Sequence, residues 1–125
     1  MIYLTGGYGG ESEVLEYNPR TNTWRNMPKT LQNRYGHNIC GLENKIFVLG
    51  GRTINGATNT TCEMLDMNDD DPQWKYIDSM NSDHFNGVAV VIEKMIYVIG
   101  GSFDTNVEVY DVDKGKFMLY FYEMI

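Results

Sequence analysis

Residues 46–51 read Ile-Phe-Val-Leu-Gly-Gly, an apolar run that stops on two glycines. Such a pair costs strand stability, because glycine has more backbone entropy to lose and no side chain to pack. The pair must therefore meet a geometric demand, and recurrence is the way to find it. The same form stands at 2–7 as Ile-Tyr-Leu-Thr-Gly-Gly and at 96–101 as Ile-Tyr-Val-Ile-Gly-Gly. The first glycines, Gly6, Gly50 and Gly100, are 44 and 50 residues apart. A period of that size in strand-like sequence predicts propeller blades. A helix would need ten or so residues without glycine, and none of these windows offers that. Gly9 and Gly10, which recur nowhere else, belong to a variable loop.

A second regularity follows each run. Tyr17 and Trp24 flank Asn-Pro-Arg-Thr-Asn-Thr, Tyr110 and Phe117 flank Asp-Val-Asp-Lys-Gly-Lys, and Met67 and Trp74 flank Asn-Asp-Asp-Asp-Pro-Gln, with a spacing of seven each time. If the two residues border a four-residue hairpin loop with one ladder pair between, they meet across two strands as a cross-strand pair. Asn18-Pro19, Asp71-Pro72 and Lys114-Gly115 supply the turn chemistry.

A third segment precedes each later Gly-Gly run: Gly36–Leu42 and Asn86–Ile92. Each leads through a short polar turn into the next apolar run and predicts another hairpin. Four short antiparallel strands per repeat result. The central runs are apolar at nearly every position, so they are expected to be covered on both faces, as in radially stacked four-stranded sheets.

The chain has 125 residues, enough for one modest core. Its net charge of −7, from 17 acidic and 10 basic residues, shows no basic stripe and argues against nucleic acid or anionic membrane as partner. No apolar stretch approaches the ~18 residues of a membrane span and no signal peptide leads the chain, which predicts a cytoplasmic location. Asp69, Asp70 and Asp71 read as a solvated turn. Cys40 and Cys62 lack metal spacing and read as buried reduced thiols, and the sequon Asn59-Thr60-Thr61 as a chance match.

The glycine pairs, the Tyr-x6-Trp spacing and Arg34-Tyr35-Gly36-His37 together resemble the kelch motif, in three successive registers that cover the chain. The resemblance implies an all-β, kelch-type β-propeller, incomplete at about two and three-quarter four-stranded antiparallel blades. Residues 1–28 would be a blade lacking its first strand, 29–80 the second blade, and 81–125 a third with an atypical end. Strands a would be Gly36–Gly41 and Asn86–Ile92. Strands b would end in Gly6-Gly7, Gly50-Gly51 and Gly100-Gly101. Strands c would end at Tyr17, Met67 and Tyr110, and strands d would open at Trp24, Trp74 and Phe117. His84 takes the place of Arg34, and Gly87 that of His37. Such an array does not close a ring, so its lateral faces are expected to be exposed and the isolated chain to associate.

No acid, base, nucleophile or metal ligands converge in the sequence, which predicts no catalysis, no metal and no cofactor. Some kelch-type propellers hold copper through Tyr, His and Cys, but no spacing here assembles such a site. The resemblance implies partner binding by the b-to-c loops and d-to-a connections. By position that nominates Tyr8, Arg52, Ser102 and Phe103 after the glycines, with Arg34, Tyr35, His84 and Phe85 ahead of strands a. Arg34 divides evenly between partner contact and a structural role; His37 is read as structural, and Tyr17, Trp24 and Trp74 as blade packing. Many kelch propellers are substrate receptors joined to a BTB domain that recruits a cullin-3 ubiquitin ligase, and others bind actin. No BTB-like segment is present, so an adaptor role would belong to a longer parent. The asparagine content resembles poxvirus kelch proteins, whose genes are often broken. A host-interaction decoy and a non-functional remnant of a disrupted gene are the other expectations.

Overall fold

The computed structural model describes residues 1–9, 12–102 and 105–120, with the backbone alone at 119 and 120. Within them the chain forms eleven strands and no helix. The first sheet holds β1 (Ile2–Thr5), β2 (Val14–Asn18) and β3 (Thr23–Asn26) in that order. The second holds β4 (Asn38–Leu42), β5 (Lys45–Leu49), β6 (Cys62–Asp66) and β7 (Trp74–Ile77). The third holds β8 (Val88–Ile92), β9 (Met95–Ile99), β10 (Val107–Asp111) and β11 (Lys116–Tyr120). Every neighbouring pair is antiparallel. This is an incomplete propeller, and its first sheet is one strand short of the other two.

The hairpin geometry follows from the spacing in two sheets. Tyr17 pairs with Trp24 and Asn18 with Thr23, leaving four loop residues; Tyr110 pairs with Phe117 and Asp111 with Lys116, leaving four again. The rings touch, with centroids 4.6 Å apart in the first pair and 5.0 Å in the second. The second sheet departs from this. Trp74 pairs with Leu65, not with Met67, which lies just outside β6. A loop two residues longer carries the Asp69–Asp71 run, so counting seven back from Trp74 overshoots the strand end. Asn18, Asp66 and Asp111 mark the true equivalence. Each side-chain oxygen accepts the N–H two residues on, from Arg20, Asn68 and Asp113, closing an Asx turn at the same point of each hairpin.

The a-type strands also start later than the motif suggests. Gly36 and Asn86 have φ of 63° and 61°, outside the extended region, and β4 and β8 begin two residues beyond them.

Two cores fill the gaps between sheets. Val14 of the first sheet packs with Ile46, Val48, Leu65 and Trp74 of the second. Trp74 Nε1–H donates to the Pro28 carbonyl at 2.7 Å, which satisfies the indole at this junction. On the other face, Phe47, Leu49 and Cys62 pack with Met80 and with Ile96, Val98 and Tyr110 of the third sheet. β5 is thus covered on both sides, as its apolar run requires.

The flanking sheets differ from the expectation of two covered faces. Ile2 and Leu4 hold the places of Ile46 and Val48 but are exposed, and Trp24 is 55% exposed where Trp74 is 5%. At the far side Val88, Val90, Ile92 and Ile99 are exposed as well. Trp24 is therefore mostly exposed in this chain, packed against the half-buried Tyr17 ring. No further sheet stands against either face among the described residues.

Candidate functional site

The nominated residues lie where strands b end and where the chain turns into strands a. Two of them are turned inward. Arg34 is 1% exposed and donates from Nε and Nη2 to Glu63 Oε2 at 3.1 and 2.8 Å, from Nη1 to the carbonyls of Gly50 and Thr61, and from Nη2 to Thr61 Oγ1. His84 is wholly buried. Its Nδ1 lies 2.7 Å from the Gly100 carbonyl, so that nitrogen carries the proton and donates, while Nε2 lies 2.6 Å from Glu108 Oε2. These side chains form internal posts and are absent from the surface that the motif position suggested.

Glu63 and Glu108, at equivalent places in β6 and β10, are the acceptors of these posts. Glu63 also accepts the N–H groups of Leu31 and Gln32, and Glu108 those of Asn81 and Ser82. Each carboxylate so holds a whole inter-sheet connection by its backbone. Such satisfaction is what lets a charged group sit at 0% exposure. Sequence reading passed over both. The signal was present: an acid inside an apolar strand, in Cys62-Glu63-Met64-Leu65 and Val107-Glu108-Val109-Tyr110.

The double glycine brings these connections into contact. Gly50 and Gly51 have φ of 67° and 92°. A Cβ on Gly51 would lie 2.8 Å from both the His37 Cβ and the Tyr35 carbonyl, and one on Gly50 would strike the Asp83 carbonyl. The Gly51 N–H reaches that Asp83 carbonyl at 2.9 Å, and the Gly7 N–H reaches the Arg34 carbonyl at 3.0 Å. The pairs therefore let each sheet dock on the connection leading into the next.

What this docking displays is a row of rings and one guanidinium. Tyr8, Arg52 and Ser102 follow the three glycine pairs, while Tyr35 and Phe85 follow the two posts. Tyr8 meets Tyr35 edge-on at 5.7 Å, and Tyr35 meets Phe85 edge-on at 5.4 Å. Arg52 lies over the Phe85 ring with its guanidinium carbon 4.3 Å from the centroid. The rule is the same at both junctions: the residue after a glycine pair reaches the ring of the following sheet. Tyr35 and Arg52 exchange backbone hydrogen bonds at 3.0 Å, and the Ser102 N–H donates to the Phe85 carbonyl at 2.7 Å. Five nominees, Tyr8, Tyr35, Arg52, Phe85 and Ser102, thus share one surface, and Tyr8 at its end is 86% exposed. Phe103 lies outside the described residues.

His37 sits beneath this row, with Nε2 2.7 Å from Thr5 Oγ1 of the first sheet. Burial, reinforced by the Arg34 charge, lowers its pKa to about 4. Burial raises the Cys40 and Cys62 thiols to about 12, and no disulfide joins them. Asn59 accepts from the Thr61 N–H and hydroxyl, and its Nδ2, the atom a sugar would join, is buried. Among the described residues no group of three His, Cys, Asp or Glu is placed to hold a metal, and no helix is long and apolar enough to cross a membrane.

Residues 33–81 match the Kelch motif. Over 128 residues the chain is 30% identical to Kelch-like protein 23 of Pongo abelii, an alignment covering 93% of this chain and 22% of that protein. It is 28% identical over 131 residues to Kelch-like protein 36 of Bos taurus, covering 93% and 21%. Alpha-scruin of Limulus polyphemus is 28% identical over 110 residues, covering 80% and 12%. The chain therefore spans about a fifth or less of the length of these relatives.

Proposed function

This chain belongs to the kelch-repeat family, and from that premise we propose that it is a partner-binding segment whose contact surface is the row Tyr8, Tyr35, Phe85 and Arg52, with Ser102 at its edge. The observation that carries this is the convergence, at the ends of strands b, of loop residues next to three sheets, with Tyr8 exposed and Tyr35, Arg52, Phe85 and Ser102 half-buried beside it. Tyrosine and arginine on a rigid scaffold are the residue types that dominate interface energetics, and loops held by such a scaffold are where binding residues concentrate. Arg34 and His84 serve this surface from below by fixing the connections that present Tyr35 and Phe85.

Within a longer parent carrying a BTB domain, the segment would be part of the substrate receptor of a cullin-3 ubiquitin ligase. The test is affinity purification with the chain and with its Tyr8→Ala/Tyr35→Ala variant. Proteins retained by the first and lost by the second support the reading; identical profiles overturn it. Cullin-3 recovered with a BTB-bearing parent, and not with the chain alone, supports the adaptor role; its absence from both removes that role.

A further inference from the structure

The two outer faces of the array are apolar, and each is one half of a junction that the chain builds twice within itself. The outer face of the first sheet presents Ile2, Leu4, Tyr17 and Trp24, and all but Tyr17 are more than half exposed. Ladder position identifies this face. Ile2 and Leu4 stand where Ile46 and Val48 meet the first sheet, and where Ile96 and Val98 meet the second. At the other end of the array, Tyr97 and Ile99 stand where Phe47 and Leu49 meet the third sheet. Val88, Val90 and Ile92, all exposed, continue that face along β8. The third sheet of one copy therefore offers what the first sheet of another lacks, in the packing already seen between neighbouring sheets.

One position in the first sheet favours a separate chain as the cover. Leu15 stands where Glu63 and Glu108 hold an incoming connection by its backbone N–H groups. A junction between two separate chains has no connection crossing it, so a carboxylate there would be buried without its donors and an apolar residue fits instead. Sheet number then sets the stoichiometry. Two copies joined at both ends bring six sheets, within the roughly four to eight of a closed propeller, while three copies bring nine. We infer that a second copy of this chain covers both faces, the first sheet of each against the third sheet of the other, in a closed two-fold dimer. Neither of these junctions has a carboxylate post, so the pairing is expected at the weak end of interface affinities, about 10 μM. Below that concentration both faces stand open and Trp24 is in water, so unfolding of the dilute chain reads the single copy.

The test is sedimentation of the full chain from about 1 to 300 μM, with Leu4→Asp, Ile99→Lys and an equal mixture of the two. The unaltered chain is expected to pass from 14.3 kDa to twice that mass and no further. The Trp24 emission should move to the blue over the same range, since Trp74 is already buried. Leu4 and Ile99 are 51% and 41% exposed, so either change leaves the single chain folded, which circular dichroism checks. Each variant alone carries its charge into both junctions and should stay monomeric over the whole range. In the mixture one junction is unaltered and the other brings Asp and Lys together, so the dimer should return.

A monomer at every concentration overturns the inference and leaves these faces to further sheets of one polypeptide. Growth past the dimer overturns the closed ring. Loss of pairing in only one of the two variants would mean that like face meets like face, and a mixture that stays monomeric also overturns the head-to-tail order.

Discussion

Trp74 and Trp24 open the same strand in successive sheets, yet Trp74 is 5% exposed, with its indole bonded to the Pro28 carbonyl, while Trp24 is 55% exposed. The pairs Val48 and Leu4, and Leu49 and Ile99, divide in the same way. The difference does not lie in residue type, since all are apolar residues on strands of the same register. It lies in what stands next: the second sheet has a neighbour on both sides, and the outer faces of the first and third have none among the described residues. A blade is thus a half-finished core, and its interior is completed by the sheets beside it.

The posts extend the comparison. At the place of Glu63 and Glu108 the first sheet has Leu15. Where a connection exists, it is pinned either by Arg34, which is always charged, or by His84. The two solutions share the carboxylate and differ in the side chain that meets it.

The sharpest way to break the comparison is Glu63→Ala. It removes the acceptor of two backbone N–H groups and leaves Arg34 buried and unpaired, so urea unfolding should show a loss of about 3–5 kcal/mol. Leu15→Ala, at the equivalent place, should cost far less, and equal losses would deny the post its role. Next, Trp74→Ala should cost about 3–4 kcal/mol by cavity formation, whereas Trp24→Ala should leave the melting temperature nearly unchanged. A matching loss at both positions would mean that Trp24 is covered in solution.

Acid should distinguish the sheets as well. His37 is held neutral, with its pKa lowered from 6.5 to about 4, while the unfolded chain gains that proton near 6.5. The unfolded state therefore binds more protons between these values, and stability falls as pH drops from about 6.5 to 4, by up to about 3 kcal/mol. His37→Gln should flatten that part of the profile. Gly87 stands at the place of His37 ahead of the third sheet, so this imidazole has no counterpart there. The smallest contrast is between glycines: Gly51→Ala meets the His37 Cβ and the Tyr35 carbonyl and should cost about 2–3 kcal/mol, while Gly7→Ala meets nothing within 4 Å and should cost about 1 kcal/mol from its φ of 97° alone. Equal costs would show that backbone conformation, and not close approach, demands the pair.

Much of this was legible in advance because hairpins are local. The Tyr-x6-Trp spacing and the Asn-Pro and Lys-Gly turns set the registers of the first and third sheets, since turn length and side-chain alternation together leave one pairing. The same reasoning misplaced Met67, because a loop lengthened by two residues is invisible when the counted spacing happens to remain seven. The assembly of Tyr8, Tyr35, Arg52, Phe85 and Ser102 was readable from their places in the repeat. The inward turn of Arg34 and His84 was not, since their direction depends on Glu63 and Glu108, 29 and 24 residues away.

The sequence by itself determined the strands, their pairing within each sheet and the three-fold repetition of the glycine pair, all set by turn chemistry and apolar patterning over short distances. Tertiary structure alone decided which apolar residues are buried, which charges became internal posts and which reached the surface. Burial and charge pairing depend on groups far apart in the chain, and those meet only when one sheet docks on the next.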